Sequence, residues 1–159
     1  MPRIDPAEIR AARSPADIAD FAALARAYAA ELPFELCFQN FEAELAELPG
    51  CYAEPRGVIL LARVAGVPVG CGALRPLDDR VCEMKRVYLK PEARGHGLGR
   101  RIVQDLLAAA VKRGYAEMVL DTVADMSAAN ALYRSLGFEL TAPYCHNPLA
   151  GATYYRKQL

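Results

Sequence analysis

The sequence predicts one α/β domain of the α+β type, and three observations lead to this prediction. The chain has 159 residues, a length that suits a single domain with a sizeable core. Its apolar residues recur at helical spacing in some segments and form strand-like runs in others. A glycine-rich run at residues 94–100 separates a strand-like segment from a helix-like one.

The N-terminal part of the chain predicts a short strand at residues 8–12, followed by a helix. Ser14, Pro15 and Asp17 supply an N-cap, a first-turn proline and an acid at the third helical position. The helix is expected to continue to about Glu31, since its apolar residues recur at helical spacing.

Prolines bound the next elements. Pro33 is expected to end the first helix, and a second helix is predicted from Asn40 to Leu48, closed by Pro49 and Gly50.

The middle and C-terminal parts predict an alternation of strands and helices. Residues 57–75 form a predicted hairpin with a tight Ala-Gly turn, and residues 81–89 form the next strand. A long helix follows the glycine-rich run and ends at Arg113, with Gly114 as the residue after it. The remaining predicted elements are a strand at 116–122, a helix from Ser127 to Leu136 that stops at Gly137, and strands at 138–143 and 152–158.

Composition argues against several classes of protein. Lys and Arg total 19, as do Asp and Glu, so the chain lacks the basic surplus of a nucleic-acid binder. No apolar stretch approaches the ~20 residues that cross a bilayer, and the first residues are too acidic for a signal peptide. The five cysteines form no CxxC pair and predict reduced, mostly core thiols without a zinc site. A cytoplasmic protein is therefore expected.

The glycine-rich run predicts a phosphate-binding turn. A turn that leads from a strand into a helix presents free backbone N–H groups and the positive end of the helix dipole. Gly95, Gly97 and Gly99 permit positive φ angles and close approach of an anion, and Arg94 and Arg100 add charge. The run matches neither the Walker pattern nor the dinucleotide fingerprint GxGxxG.

Two longer segments carry a resemblance to a known family. VYLKPEARGHGLGRR and ANALYRSLGFE resemble the signature elements of the GNAT superfamily of acetyl-CoA-dependent N-acetyltransferases. The resemblance implies a single domain over residues 1–159 with the GNAT fold. In that fold a mixed, mostly antiparallel central sheet of six or seven strands is flanked by about four helices. It further implies acetyl-CoA as co-substrate.

The resemblance also implies the residues that hold acetyl-CoA. The backbone of Val87, Tyr88 and Leu89 would pair with the pantetheine arm, as unpaired strand amides pair with a neighbouring strand. The turn would cradle the pyrophosphate with Arg94, Gly95, His96, Gly97, Leu98, Gly99 and Arg100. One departure is Met126, which stands where the family often has an asparagine; Asn130 lies nearby at a different spacing.

Acetyl transfer to an amine needs a base, stabilisation of the oxyanion and a proton for the leaving thiolate, but no metal. Tyr133 resembles the family's proton donor. Glu83 and Asp121 are the two candidate bases, with Glu83 preferred because ideal alternation puts it on the same strand face as Lys85 and Val87. The amide of Val87 or a neighbour would stabilise the oxyanion.

The acceptor is left open by the sequence. A primary amine of a small molecule, such as an amino acid or polyamine, is expected. Glu31, Glu35 and Glu42 would draw a cationic amine and Lys85 and Arg86 would hold a carboxylate, so an amino acid or its derivative would satisfy both groups. Tyr144 and His146 lie in a loop where the family often shapes its acceptor pocket. A protein or peptide acceptor and a non-catalytic acetyl-CoA-binding module are the open alternatives for the function. A homodimer through the C-terminal strands is open for the oligomeric state.

Overall fold

The computed structural model describes residues 6–32 and 40–159. Pro33, predicted to end the first helix, lies outside these ranges, as do Glu35 and Cys37. The helices are α1 (Pro15–Glu31), α2 (Phe41–Ala46), α3 (Leu98–Lys112) and α4 (Ser127–Ser135). The strands are β1 (Glu8–Ala11), β2 (Val58–Val64), β3 (Val67–Pro76), β4 (Val81–Leu89), β5 (Glu117–Val123), β6 (Glu139–Leu140) and β7 (Ala152–Gln158).

The strands form one seven-stranded sheet in the order β1-β2-β3-β4-β5-β7-β6. Neighbouring strands run antiparallel except β4 and β5, which are parallel. The predicted fold class, a mixed and mostly antiparallel sheet with four helices in the described chain, is confirmed.

Local signals at two chain reversals act as predicted. The Ser14 hydroxyl accepts the Asp17 amide at 3.0 Å, and the Asp17 carboxylate accepts the Ser14 amide at 3.2 Å, which together form a capping box. At the β2–β3 turn both Ala65 and Gly66 have positive φ angles (49° and 79°), as a type I′ hairpin turn requires.

Two predicted elements are shorter in the structure. Helix α2 begins after Asn40, whose φ of 54° is left-handed, and ends before Leu48, because a residue that precedes a proline disfavours helical geometry. Strand β6 spans Glu139–Leu140 although residues 138–143 were predicted. The Thr141 amide still donates to the Tyr154 carbonyl at 2.9 Å, but Pro143 has no N–H with which to extend the ladder.

The sheet buries both of its faces. Alternate residues of β2 illustrate this, because Leu60 and Ala62 pack with α3 while Ile59 and Leu61 pack with α1. Helix α3 contributes fully buried Ile102, Val103 and Leu106 to the first layer, and α1 contributes Phe21 and Leu24 to the second. The sheet is thereby fixed between two helical layers.

Strands β4 and β5 pair only at their beginnings. The parallel register joins Val81–Glu83 to residues 117–119, although β4 continues to Leu89 and β5 to Val123. Beyond Glu83 the two strands diverge, and backbone groups of β4 on that side have no partner strand. This divergence opens a cleft in the middle of the sheet.

A β-bulge reverses the alternation of side chains within β4. The register against β3 shifts between Lys85 and Tyr88, and Arg86 adopts a left-handed φ of 60°. Val87 consequently packs against the α3 layer. Glu83 lies outside that layer, between Cys82 and Met84, which belong to it, and bonds to Arg75. The expectation that Glu83, Lys85 and Val87 share one face is therefore wrong, because it assumed a regular strand.

The cysteines that the structure describes all carry free thiols. Cys71 and Cys82 are buried, whereas Cys51 and Cys145 are exposed, so the prediction of mostly core thiols holds for half of them. Within the described ranges, no helix is both long and apolar enough to cross a bilayer.

Removal of a core side chain from α3 tests this layering. We expect Leu106→Ala to lower the free energy of unfolding by about 2–5 kcal/mol, because Leu106 is fully buried beneath the sheet and truncation leaves a cavity. Val111 lies on the same helix and is 58% exposed. Val111→Ala should therefore change the free energy of unfolding by less than about 0.5 kcal/mol. Urea denaturation measures both; equal losses would contradict the assignment of the α3 core face.

Candidate active site

A cleft of about 400 Å³ lies where β4 and β5 diverge. One wall is the second half of β4, the other is the end of β5 with α4, and the turn before α3 closes one end. The lining residues include Met84–Leu89, Arg94, Gly95, residues 97–99, residues 120–123, Met126, Leu132, Tyr133, Asn147 and Leu149. Most of the residues predicted to hold a cofactor therefore meet in one cavity.

Backbone geometry explains two of the three glycines of the turn. Gly95 and Gly97 have φ angles of 85° and 77°, and a Cβ built on either would meet nothing within 4 Å. Glycine is thus required there by the left-handed backbone and not by packing. Gly99 lies inside α3, where a Cβ would approach Leu89 only to an ordinary 3.5 Å.

The start of α3 offers backbone donors to the cleft. Gly97 is the N-cap residue, no side chain caps the helix, and the first turn contains no acid. The first N–H groups of a helix lack intrahelical partners and carry the positive end of its dipole. Since Gly97 and Leu98 line the cleft, an anion there would meet these donors.

His96 and Arg100, predicted to contact the cofactor, do not line the cleft. His96 is exposed. The Arg100 guanidinium donates to the Ser135 hydroxyl at 2.7 Å and so ties α3 to the end of α4. The contact of these two residues with a cofactor stays a prediction.

Arg94 connects the turn to β4 and to α1. Its guanidinium donates to the Leu89 carbonyl at 3.1 and 2.9 Å and forms a 2.8 Å ion pair with Glu31. The Tyr88 hydroxyl donates to the other oxygen of the same carboxylate. The Tyr88 hydrogen bond has the largest effect on the pKa of Glu31 and lowers it, and the hydrogen bond from Arg94 lowers it further.

Tyr133 projects from α4 and lines the cleft. Its ring packs against Phe138 and Tyr155, with centroids 5.9 and 6.2 Å away. The hydroxyl accepts and donates no hydrogen bond among the described residues. Burial raises the pKa of Tyr133, with a smaller contribution from Tyr28, so the phenol keeps its proton at neutral pH.

Glu83 is 1% exposed and does not line the cleft. One carboxylate oxygen accepts from the Arg75 guanidinium at 2.8 Å, and the other accepts the Tyr144 hydroxyl at 2.6 Å. Arg75 was missed by sequence reasoning, although it stands directly opposite Glu83 in the β3–β4 register. The hairpin pattern could have revealed that cross-strand pair.

Asp121 lines the cleft from β5. Its Oδ2 accepts the side-chain amide of Asn147 at 3.1 Å and the Cys145 thiol at 3.8 Å. Glu83, Asp121 and Cys145 each bring one ligand-type atom within 4.8 Å of the others. Burial, and after it the two carboxylates, raise the pKa of the Cys145 thiol to about 11. Two carboxylates this close suit a cationic group; the absence of a metal site stays a prediction.

The loop before β7 contributes different residues from those named in the sequence. Tyr144 is held by Glu83, and burial raises its pKa, while His146 is exposed and does not line the cleft. Asn147 and Leu149 line it instead. No pattern in the sequence distinguished them, because their position depends on how the loop folds back over β5.

The acidic residues near α1 and α2 have partners of their own. Glu31 binds Arg94, and Glu42 forms a 3.2 Å pair with Arg26 at the surface. Glu44, expected on a solvated outer face of α2, instead forms a bidentate pair with the buried Arg86 at 2.8 and 3.2 Å.

Asn130 shapes the turn between β5 and α4. It is 7% exposed, and its side-chain amide donates to the carbonyls of Val123 and Met126 at 2.9 and 2.8 Å. Asn130 itself does not line the cleft, whereas Met126 does.

Comparisons with known proteins identify the family of this chain. The family model described as the acetyltransferase (GNAT) family matches residues 21–138. An uncharacterized N-acetyltransferase of Schizosaccharomyces pombe is 40% identical over 153 residues, which span 95% of this chain and 94% of that protein. This chain belongs to the acetyltransferase (GNAT) family, which confirms the resemblance found in its sequence.

Solved structures agree with the fold. An acetyltransferase from Streptococcus agalactiae superposes with a TM-score of 0.78 at 22% identity, over 96% of this chain and 98% of that one. A phosphinothricin acetyltransferase of the GNAT superfamily from Sinorhizobium meliloti, solved in complex with acetyl-CoA, gives a TM-score of 0.71 at 20% identity, over 96% of this chain and 88% of its own.

A matched pair of glycine variants tests the turn. Gly97→Val and Gly114→Val both force a side chain onto a left-handed backbone (φ of 77° and 84°) with nothing within 4 Å of the new Cβ. We expect similar stability losses, about 1–3 kcal/mol each. Only Gly97→Val should weaken acetyl-CoA binding, by at least about tenfold, because only its side chain enters the cleft.

Calorimetric titration with acetyl-CoA measures the affinities, and thermal unfolding reports the stabilities. Unchanged affinity in Gly97→Val, or an equal loss in Gly114→Val, would contradict the assignment of this turn to the cofactor.

Proposed function

We propose that the protein transfers the acetyl group of acetyl-CoA to a primary amine of a small molecule by direct attack. The observation that carries this proposal is that one cleft unites the glycine turn, the unpaired edge of β4, Tyr133 and Asp121. In the reaction the amine nitrogen bonds to the acetyl carbon and the carbon–sulfur bond breaks. The products are an amide and the free thiol of CoA.

The cleft fits acetyl-CoA chemically. The left-handed Gly95 and Gly97 leave open space beside the first amides of α3, which suits a pyrophosphate. The part of β4 beyond Glu83 has no partner on the β5 side, which suits an extended arm with amide groups. The Sinorhizobium meliloti relative binds acetyl-CoA. When bound, acetyl-CoA supplies a thioester carbonyl activated toward amines.

Tyr133 is the proposed proton donor to the leaving sulfur. Tyr133 lines the cleft, its hydroxyl has no competing hydrogen bond in the described chain, and the phenol keeps its proton because burial raises its pKa. A phenol in this setting has one donor to give. The backbone N–H of Val87 or a neighbour in the bulge is the proposed donor to the carbonyl oxygen, where negative charge develops.

Asp121 is the better supported of the two candidate bases. It lines the cleft and accepts only neutral donors, so it can still take a proton from an ammonium group, directly or through water. Glu83, preferred from the sequence, is buried and has Arg75 on one oxygen and Tyr144 on the other. We therefore propose that Glu83 positions the loop through Tyr144 while Asp121 accepts the proton.

The cellular location is a further part of the proposal. The free thiols of the four described cysteines suit a reducing compartment such as the cytoplasm.

A thiol-release assay with acetyl-CoA and a panel of amino acids, polyamines and peptides tests the activity, and a tyrosine pair tests its mechanism. We expect Tyr133→Phe to lower kcat by about 10²-fold or more while acetyl-CoA affinity changes little, because only the transferred proton is lost. Tyr155→Phe is the matched control, since the Tyr155 hydroxyl is buried and unpartnered in the same cluster. It should retain full activity.

Equal turnover in Tyr133→Phe and wild type would remove Tyr133 from the mechanism. Acetylation of peptides but not of small amines would favour a protein acceptor. Cofactor binding without thiol release for any acceptor would favour a non-catalytic module.

The pH profile distinguishes the two carboxylates. We expect Asp121→Asn to lower kcat/KM by at least about 10²-fold near pH 7, because the bound ammonium then has no base. Its rate should recover by about tenfold per pH unit as free amine accumulates in solution. Asp125→Asn, at an exposed position four residues further on, should match the wild type. If Glu83→Gln shows the recoverable defect and Asp121→Asn does not, Glu83 is the base.

A further inference from the structure

Some of the charged residues at the Asp121 end of the cleft form ion pairs with other protein residues, and some do not. Arg75 forms an ion pair with Glu83 at 2.7 Å, and Arg86 pairs with Glu44 at 2.8 Å. The Glu44 carboxylate also accepts the hydroxyl of Tyr52 at 2.8 Å. These contacts form two internally compensated pairs beside the cleft, and neither arginine needs a ligand to balance its charge.

Lys85 differs from these arginines. It lies on β4 between Glu83 and Arg86, lines the cleft and is half-buried, yet it forms no hydrogen bond or ion pair with any described residue. Burial is the main cause of the lowered pKa of Lys85; Arg86 and Arg75 act in the same direction, while Glu83 and Asp121 oppose them. A partly desolvated ammonium group without a partner is costly unless a ligand supplies the anion.

Asp121 carries the complementary charge on the opposite wall. Its contacts are the neutral Asn147 amide and Cys145 thiol, and no ion pair to it occurs within the described ranges. The cleft therefore presents one cation and one anion from facing strands. They attract each other, but neither forms a direct ion pair with the other or with any further described residue.

The position of Lys85 along β4 separates it from the phosphate-binding turn. Lys85 pairs with Ala73 of β3 and Leu89 pairs with Gly70, so the bulged segment advances by three residue steps of β3. The Cα of Lys85 therefore lies about 10 Å before the end of β4 at the usual rise per residue. A lysine side chain does not span this distance. The anion that Lys85 would bind thus belongs to the acceptor and not to the pyrophosphate.

We propose that the acceptor is an amino acid or a close derivative, whose carboxylate binds Lys85 while its amino group faces Asp121. The proposal rests on the transferase function proposed above and narrows its substrate class. The two protein charges match the two charges of a zwitterion, whereas a polyamine would leave Lys85 opposed by a second cation. Lys85 acts here as a specificity-determining residue and takes no part in bond making.

The test compares each amino acid of a panel with its own carboxamide in the thiol-release assay. The carboxamide keeps the amino group and side chain but lacks the negative charge. We expect kcat/KM to be about 10- to 100-fold higher for the acid, with the difference in KM, since a charge-assisted contact is lost in binding. Polyamines should be poor acceptors.

Variants of Lys85 assign that preference to one side chain. Lys85→Met keeps the aliphatic stem and removes the charge. It should raise KM for amino acids to the value for the carboxamides, while kcat/KM for the carboxamides stays as in the wild type. Lys85→Arg should restore part of the preference. Lys112→Met, at an exposed position on α3 outside the cleft, is the matched control and should behave as wild type. A merely structural role for Lys85 would impair acids and carboxamides equally.

Calorimetry on the CoA-loaded protein separates this inference from the function on which it rests. Turnover of carboxamides as fast as acids would overturn the zwitterion proposal and leave the transferase intact. Binding of amino acids but not carboxamides, without any thiol release, would retain the proposed ligand class and overturn the transferase. The absence of both turnover and selective binding would overturn both.

Discussion

The divergence of β4 from β5 is the constraint on which the site depends. Parallel pairing ends at Glu83, and from there both strands continue with unpaired facing edges. A buried strand edge is costly unless its N–H and C=O groups find partners. The bulge at Arg86 bends β4 at the point of divergence and changes which side chains reach the cleft. A polar, extended ligand can complete the sheet there, which is why the cleft, and not a surface loop, contains the proposed chemistry.

Electrostatic pairing around the cleft divides structural charges from functional ones. The partly exposed Arg75 and the buried Arg86 each have a carboxylate in contact, so they stabilise the walls without attracting ligands. The remaining charges are those of Asp121, whose hydrogen-bond donors are neutral, and Lys85, which has no hydrogen bond or ion pair in the described chain. The same distinction changes the interpretation of Glu83: a carboxylate fixed by an arginine and a phenol organises a site, whereas one with spare lone pairs can accept a proton.

Much of the fold was predictable because its signals are local. The capping box at Ser14, the Ala65-Gly66 turn and the glycine run each depend on a few neighbouring residues, and all appear in the structure. The bulge at Arg86 was not predictable, since arginine has no preference for positive φ and only the β3 register reveals it. Asn147 and Leu149 were missed for a similar reason, because a loop's approach to a cleft depends on tertiary contacts.

Arg94 shows why the main chain carries more of the proposed phosphate recognition than the flanking arginines. Its guanidinium already bonds the Leu89 carbonyl and the Glu31 carboxylate, so a phosphate would have to compete with a negative charge for it. Arg100 is similarly engaged with Ser135. The first amides of α3 have no such competitors, and their orientation is fixed by the helix, so they bind an anion without rearrangement. Arg94 then serves chiefly to fix the turn between the end of β4 and the end of α1, which holds those amides at the cleft.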